Sequence, residues 1–233
     1  MGHTTFIVGA GASCEFGLVD GARLRDRIAT GLDQYQFTGI WMGREEGWQA
    51  KSTLASALRT ALSIDDCMHT HQANPLIQQL GKWAIVHEIL SQERESCLTL
   101  DPQGVNFTAK RLSRGKDGES LLFDTWSSWL VSLFRLLTAE CTVDEIPDRM
   151  SRVSFIVFNY DRCIEHALVH LLTMKLGGNR EAASTIARDV DIVHPYGCLG
   201  APWERAFPFG LEPDRAPYQA MTARIRTFTV TVA

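Results

Sequence analysis

No two of the six cysteines, Cys14, Cys67, Cys97, Cys141, Cys163 and Cys198, stand in C-x-x-C spacing. That removes the paired half-sites from which structural zinc centres are built, and no metal is expected. The chain also has no apolar run of about 18 residues, so no spanning helix is expected and membrane association is not favoured. No cleavable apolar leader precedes the first strand-like run, which points to a reducing cytoplasm and free thiols. Runs of one charge sign are missing too. The formal net charge is −4, from 27 acidic and 23 basic residues, and basic clusters such as Lys110-Arg111-Leu112-Ser113-Arg114-Gly115-Lys116 are short enough to be solvated loop. Direct nucleic-acid binding is not expected. What remains is a globular chain of 233 residues, 45% apolar, long enough for one α/β domain or for one domain carrying a helical insertion.

The strongest local signal lies at the start. Thr4-Thr5-Phe6-Ile7-Val8 is an apolar, β-prone run that enters Gly9-Ala10-Gly11-Ala12-Ser13, with Gly17 following. A strand that ends in glycines and opens a helix can cradle a phosphate, because glycine permits close backbone approach and a helix start presents free N–H groups. The turn lacks the third glycine of a full dinucleotide fingerprint, so plain strand-to-helix punctuation is the competing reading. Cys14 sits inside this turn, either as a small filler or with a thiol made more acidic by the helix start.

Further along, Asp20 to Leu32 reads as a helix with Leu24, Ile28 and Leu32 on one face. Residues 33–50 read as irregular. Helical patterns return over Thr53 to Leu62 and from Asn74-Pro75 through Leu80, Trp83, His87 and Leu90 toward Cys97, with proline at the first helical position. His87 falls on that apolar stripe, where a satisfied core or boundary histidine is the simpler role. Residues 101–119 read as a loop or a disordered excursion, and Leu122, Trp126, Trp129, Leu133 and Leu137 mark another helix. The middle of the chain, approximately 50–150, is therefore expected to be an all-helical insertion, too long for a simple crossover.

Strand-like runs return at Val153–Phe158, before a helix over Arg162–Lys175, at Val190–Val193, and at Thr227–Val232. Apolar strands alternating with helices predict a Rossmann-like parallel sheet with helices on both faces, in a single α/β domain spanning 1–233. In such sheets the carboxyl ends of the strands line the ligand crevice. Three polar or glycine clusters occupy those ends: Gly9 to Ser13, Asn159-Tyr160-Asp161 and His194-Pro195-Tyr196-Gly197. Taken singly, Asn159 or Asp161 is a helix cap, and His194 is a residue kept extended by the following proline.

Together these segments resemble the sirtuin-like (silent information regulator-like) NAD-binding family, in order and spacing across most of the chain. The resemblance is closest to the zinc-less bacterial branch associated with anti-phage defence, where the middle segment usually reads Thr-Asn-Tyr-Asp; here Phe158 replaces the threonine. Two features of the deacetylating members are missing: the paired zinc cysteines, and a Pro-x-Phe-Arg loop after the turn, since Gly17 is followed by Leu18-Val19-Asp20-Gly21. Protein deacylation is disfavoured accordingly. The family's last strand continues into a Gly-rich adenosine-binding edge beyond the equivalent of Thr227-Phe228-Thr229, so in this chain the edge reads either as cut short or as completed differently.

The resemblance implies an NAD glycohydrolase, with NAD as substrate and no metal, acting in defence by NAD depletion. A homo-oligomer or an associated defence subunit is the implied partner. Asn159 would position water or ribose, and His194 would be the base on the ribose hydroxyl. Gly9, Ala10, Gly11, Ala12 and Ser13 would hold the pyrophosphate, while Asp161 would cap a helix and orient Asn159. Asp65, in Ser63-Ile64-Asp65-Asp66, resembles a family segment that faces the nicotinamide end, although adjacent carboxylates after a helix are commonly solvated or capping. A module that binds NAD or an ADP-ribose derivative without cleaving it is the alternative.

Overall fold

The computed structural model describes residues 2–35, 37, 45–101, 104, 106–108, 110–113, 120–204 and 206–226. Strands β1 (Thr4–Val8), β4 (Val153–Val157) and β5 (Asp191–Val193) form a parallel sheet in the order β1-β4-β5. Thr4 pairs with Val153 and Val8 with Val157, while Ser154 pairs with Asp191. This is a mixed α/β protein with a small parallel sheet and flanking helices. Between β1 and β4 stand α1 (Gly21–Gly31), α2 (Glu45–Leu58), α3 (Ile64–Thr70), α4 (Pro75–Glu95), a hairpin of β2 (Lys110–Ser113) and β3 (Ser120–Phe123), α5 (Trp129–Leu137) and α6 (Ile146–Met150). Helices α7 (Cys163–Lys175) and α8 (Arg180–Asp189) connect β4 to β5, and α9 (Tyr218–Thr222) follows. Among the described residues no helix is long and apolar enough to cross a membrane.

Paired residues of a parallel sheet point to the same face. Phe6, Phe155 and Ile192 share one face and join the core made with α5, α7 and α8, where Phe6 and Phe155 stack at 5.5 Å between ring centroids. The opposite face carries Ile7, Ile156 and Val193, none of which belongs to a core cluster; Ile7 is 74% and Val193 47% exposed. The expectation of helices on both faces is thus met on one face among the described residues. The reason lies in packing: α1 to α4 and α9 bury their apolar sides against one another, around Leu54, Ile77, Leu80, Trp83 and Met221, and form a separate lobe.

The structure corrects several local expectations. Residues 45–50 are helical, because Gly47, Ala50, Leu54 and Leu58 supply a buried stripe and Glu45 and Glu46 lie in the first turn, where negative charge favours a helix. That helix ends at Leu58, and Ser63 begins a new one by accepting a hydrogen bond from the Asp66 amide at 3.1 Å. The middle of the chain is not all helical: Lys110–Ser113 pairs antiparallel with Ser120–Phe123, which places Leu122 in a strand. The apolar stripe after Leu122 is broken at Asp124 and Ser128, each an extended residue capping the next turn, so α5 starts at Trp129. Helix α8, absent from the sequence reading, carries Ala183, Ile186 and Ala187 into the core. The strand expected at Thr227–Val232 lies outside the described residues.

Candidate functional site

All three strand ends meet, as their position in a parallel sheet requires. After β1 the chain forms a short 3-10 helix over Ala10–Phe16, rather than an α-helix. The Ala12 amide is used by the turn itself, donating to the Gly9 carbonyl at 3.0 Å, so the amides of Ala10 and Gly11 are the ones left without a carbonyl inside the turn. A Cβ added at Gly9 or Gly11 would meet nothing within 4 Å, and neither residue has positive φ. Neither glycine is required by the fold's own packing. Ser13 turns inward: it is buried, and its Oγ accepts a hydrogen bond from Asn159 Nδ2 at 2.9 Å. The hydroxyl therefore holds Asn159 rather than reaching outward toward a phosphate.

Asn159 follows β4 and is buried. Its Nδ2 also donates to the Gly9 carbonyl at 3.3 Å, which ties the ends of β1 and β4 together. Its Oδ1 is buried without a hydrogen-bond partner among the described residues, and an unsatisfied buried acceptor costs about 1–3 kcal/mol. Asp161 is a helix cap, its Oδ1 accepting from the Cys163 amide at 3.1 Å, which meets the structural of its two readings. Asp65, in the first turn of α3, accepts a hydrogen bond from the Tyr160 hydroxyl. It is therefore attached to the strand-end segment and not left in solvent. Burial pushes its carboxyl above the ordinary range, against the opposing effect of the Tyr160 hydroxyl. Burial, then the adjacent Asp65 charge, push the Tyr160 phenol far up, so it stays a donor.

His194 ends β5 and is placed differently from a free base. Its Nδ1 lies 2.8 Å from the Asn159 carbonyl oxygen and its Nε2 lies 2.7 Å from Glu165 Oε1. A carbonyl only accepts, so Nδ1 donates; a carboxylate favours a donor at Nε2 as well. Burial opposes charge on the ring, but the Glu165 carboxylate outweighs it, with help from the Asn159 carbonyl and Asp161, and holds His194 above its ordinary value. The expected base is thus engaged at both ring nitrogens and turned toward Glu165, and its Nδ1 ties it to the backbone of Asn159.

Glu165 and Cys198 escape the sequence reading. Glu165 lies in the first turn of α7, buried, with Oε2 unpartnered. One donor atom from each of Glu165, His194 and Cys198 falls within 4.8 Å of the others. The only sequence hint is that Glu165 lies four residues past Asp161, close enough in the helix start to face the same strand end. Comparison with family models, with curated proteins and with solved structures finds no match to this chain.

Proposed function

We propose that the strand-end crevice binds NAD and hydrolyses the nicotinamide–ribose bond. The observation that supports this most directly is Asn159: a buried side chain fixed at Nδ2 by Ser13 and Gly9, with an unpartnered Oδ1 beside a glycine turn that has open space over Gly9 and Gly11. Departure of nicotinamide builds positive charge on the ribose, and a fixed amide oxygen suits either a ribose hydroxyl or the attacking water. In this reading the amides of Ala10 and Gly11 meet the pyrophosphate. Tyr160 and Asp65 border the site through their mutual hydrogen bond. His194 keeps Asn159 in place through the backbone carbonyl, and takes a ribose proton only after losing the one shared with Glu165. The sirtuin-like resemblance and a defence role by NAD depletion belong to this same reading.

The test is nicotinamide release from NAD by the wild type, Asn159→Ala and His194→Gln. Asn159→Ala should lose about 100-fold or more in rate. A His194 that acts as base makes kcat/KM rise with pH through its titration, whereas a positioning His194 leaves that profile flat. Undiminished release by Asn159→Ala rejects the assignment. The alternative, binding of NAD or ADP-ribose without turnover, is favoured by one observation, that both His194 nitrogens already have partners. Calorimetric binding without nicotinamide release identifies it.

A further inference from the structure

We propose that Glu165, His194 and Cys198 form a zinc site that clips β5 to α7; the site shares His194 with the proposed nucleotide crevice, and zinc at Nε2 leaves that residue its hold on Asn159 but not the role of base. The three residues offer a carboxylate oxygen, an imidazole nitrogen and a thiol sulfur within 4.8 Å of one another. One hard, one borderline and one soft donor together suit zinc far better than calcium or magnesium, which take oxygen ligands throughout. Around zinc in tetrahedral geometry, neighbouring ligand atoms stand about 3.3–3.6 Å apart, so the His194–Glu165 pair, at 2.7 Å, must open by about 0.6 Å and the widest pair must close by about 1 Å.

The surroundings fit a ligand set in three ways. Zinc-bound histidines characteristically donate their second ring N–H to a carbonyl or carboxylate, and His194 Nδ1 does so to the Asn159 carbonyl at 2.8 Å, which leaves Nε2 as the donor to the metal. Glu165 is buried, and its Oε2 has no partner among the described residues, a deficit that a cation would relieve. The nearby buried cation, Arg162, is already engaged by Glu93 and does not claim Glu165.

Cys198 is held in place by its loop. The Arg226 amide donates to the Tyr196 carbonyl at 2.7 Å, and Arg162 Nη1 reaches the Gly200 carbonyl at 3.4 Å on the other side. Cys198 is half-buried as a residue, and with three protein ligands the zinc would take water in its fourth position. Binding forms Zn–S, Zn–N and Zn–O bonds in place of bonds from zinc to water, and releases to solvent both the thiol proton and the proton shared by His194 and Glu165. No electron transfer is involved. The expectation of no zinc rests on paired-cysteine spacing, and this set uses a single cysteine, so that criterion does not detect it.

The experiment uses the full chain, stripped with chelator, then titrated with zinc chloride and separately with cobalt chloride. About one metal per chain should bind, and the cobalt form should show a sulfur-to-cobalt charge-transfer band together with visible d–d bands. Cys198→Ser should abolish the charge-transfer band and weaken zinc binding by about tenfold or more, Glu165→Gln should weaken it similarly, and Cys141→Ser should change neither. Circular dichroism establishes that each variant is folded. Absence of bound zinc in the wild type overturns the proposal, as does a charge-transfer band that survives Cys198→Ser. The wild-type cobalt spectrum reports thiolate ligation even if a variant fails to fold. Because metal content is the readout, failure here is distinguishable from failure of the NAD reading.

Discussion

At the residue scale, two glycines separate a ligand requirement from a folding requirement. Gly197 has φ +75°, and a Cβ there would lie 1.9 Å from the Arg224 carbonyl oxygen, so both its conformation and its contact demand glycine. Gly197→Ala should cost at least about 2 kcal/mol of stability, read as a lowered urea midpoint. Gly11 has neither constraint. Gly11→Ala should change stability by less than about 0.5 kcal/mol, or raise it slightly by restricting the unfolded chain, while the NAD binding proposed for the crevice should weaken by about tenfold. A Gly11→Ala protein that binds NAD as the wild type does removes the turn from the site. A Gly197→Ala protein with an unchanged midpoint refutes the close contact.

At the scale of single elements, α4 shows how a helix and its partner make an acid-sensitive contact. Asn74 caps it by accepting from the Leu76 and Ile77 amides, and Pro75 occupies the first turn. One turn apart on its side, Trp83 and His87 stack at 5.2 Å, and Trp83 stacks on Tyr218 of α9 at 4.2 Å. His87 Nδ1 lies 3.1 Å from the Tyr218 hydroxyl. Burial lowers the His87 pKa, against the pull of Glu88 and Asp214. The unfolded chain therefore takes up a proton near pH 6.5 that the folded chain accepts only at lower pH. The stability this residue confers is complete above about pH 6.5 and declines as the pH falls. Urea unfolding at about pH 7.5 and about pH 5.5 should show the advantage of the wild type over His87→Gln shrinking at the lower pH. An advantage that grows on acidification contradicts this placement of His87.

The same scale shows what a sequence can and cannot convey. The boundaries of β4, α1 and α4 are readable because an apolar run, a capping residue or an initial proline acts within a few residues. The Lys110–Ser113 strand is not, since it is short and polar and exists through pairing with Ser120–Phe123. The candidate site divides in the same way. Asn159 and the glycine turn follow from strand-end position. The partner of His194 is set by packing between α7 and β5, and 29 positions separate His194 from Glu165 along the chain. Nothing local to His194 indicates that both of its nitrogens are occupied.

At the scale of the whole molecule, two apolar clusters must be held in register: one under the sheet and one in the lobe of α1 to α4 and α9. Arg162, just before α7, and Glu93, near the end of α4, bridge them, and both side chains are 0% exposed. Arg162 Nε donates to Glu93 Oε1 at 2.9 Å, Nη2 completes the two-pronged contact, and the remaining donors reach the carbonyls of Gly200, Phe207 and Pro208. The Gly210 amide donates to Glu93 at 3.3 Å, so the segment after β5 is bound to the same pair. A buried ion pair of this kind gains little over an apolar substitute of equal volume, but removal of one partner leaves an uncompensated charge. Arg162→Met should therefore cost about 3–5 kcal/mol, and adding Glu93→Leu should restore a substantial part of that loss, since the double variant leaves neither member of the pair buried without its partner. The carbonyls of the segment after β5 lose their donors in both variants, so recovery should stop short of the wild type. Equilibrium unfolding of the two single variants and the double variant measures the coupling. If Arg162→Met loses less than about 1 kcal/mol, or the double variant is no more stable than Arg162→Met alone, the junction is not held by this pair.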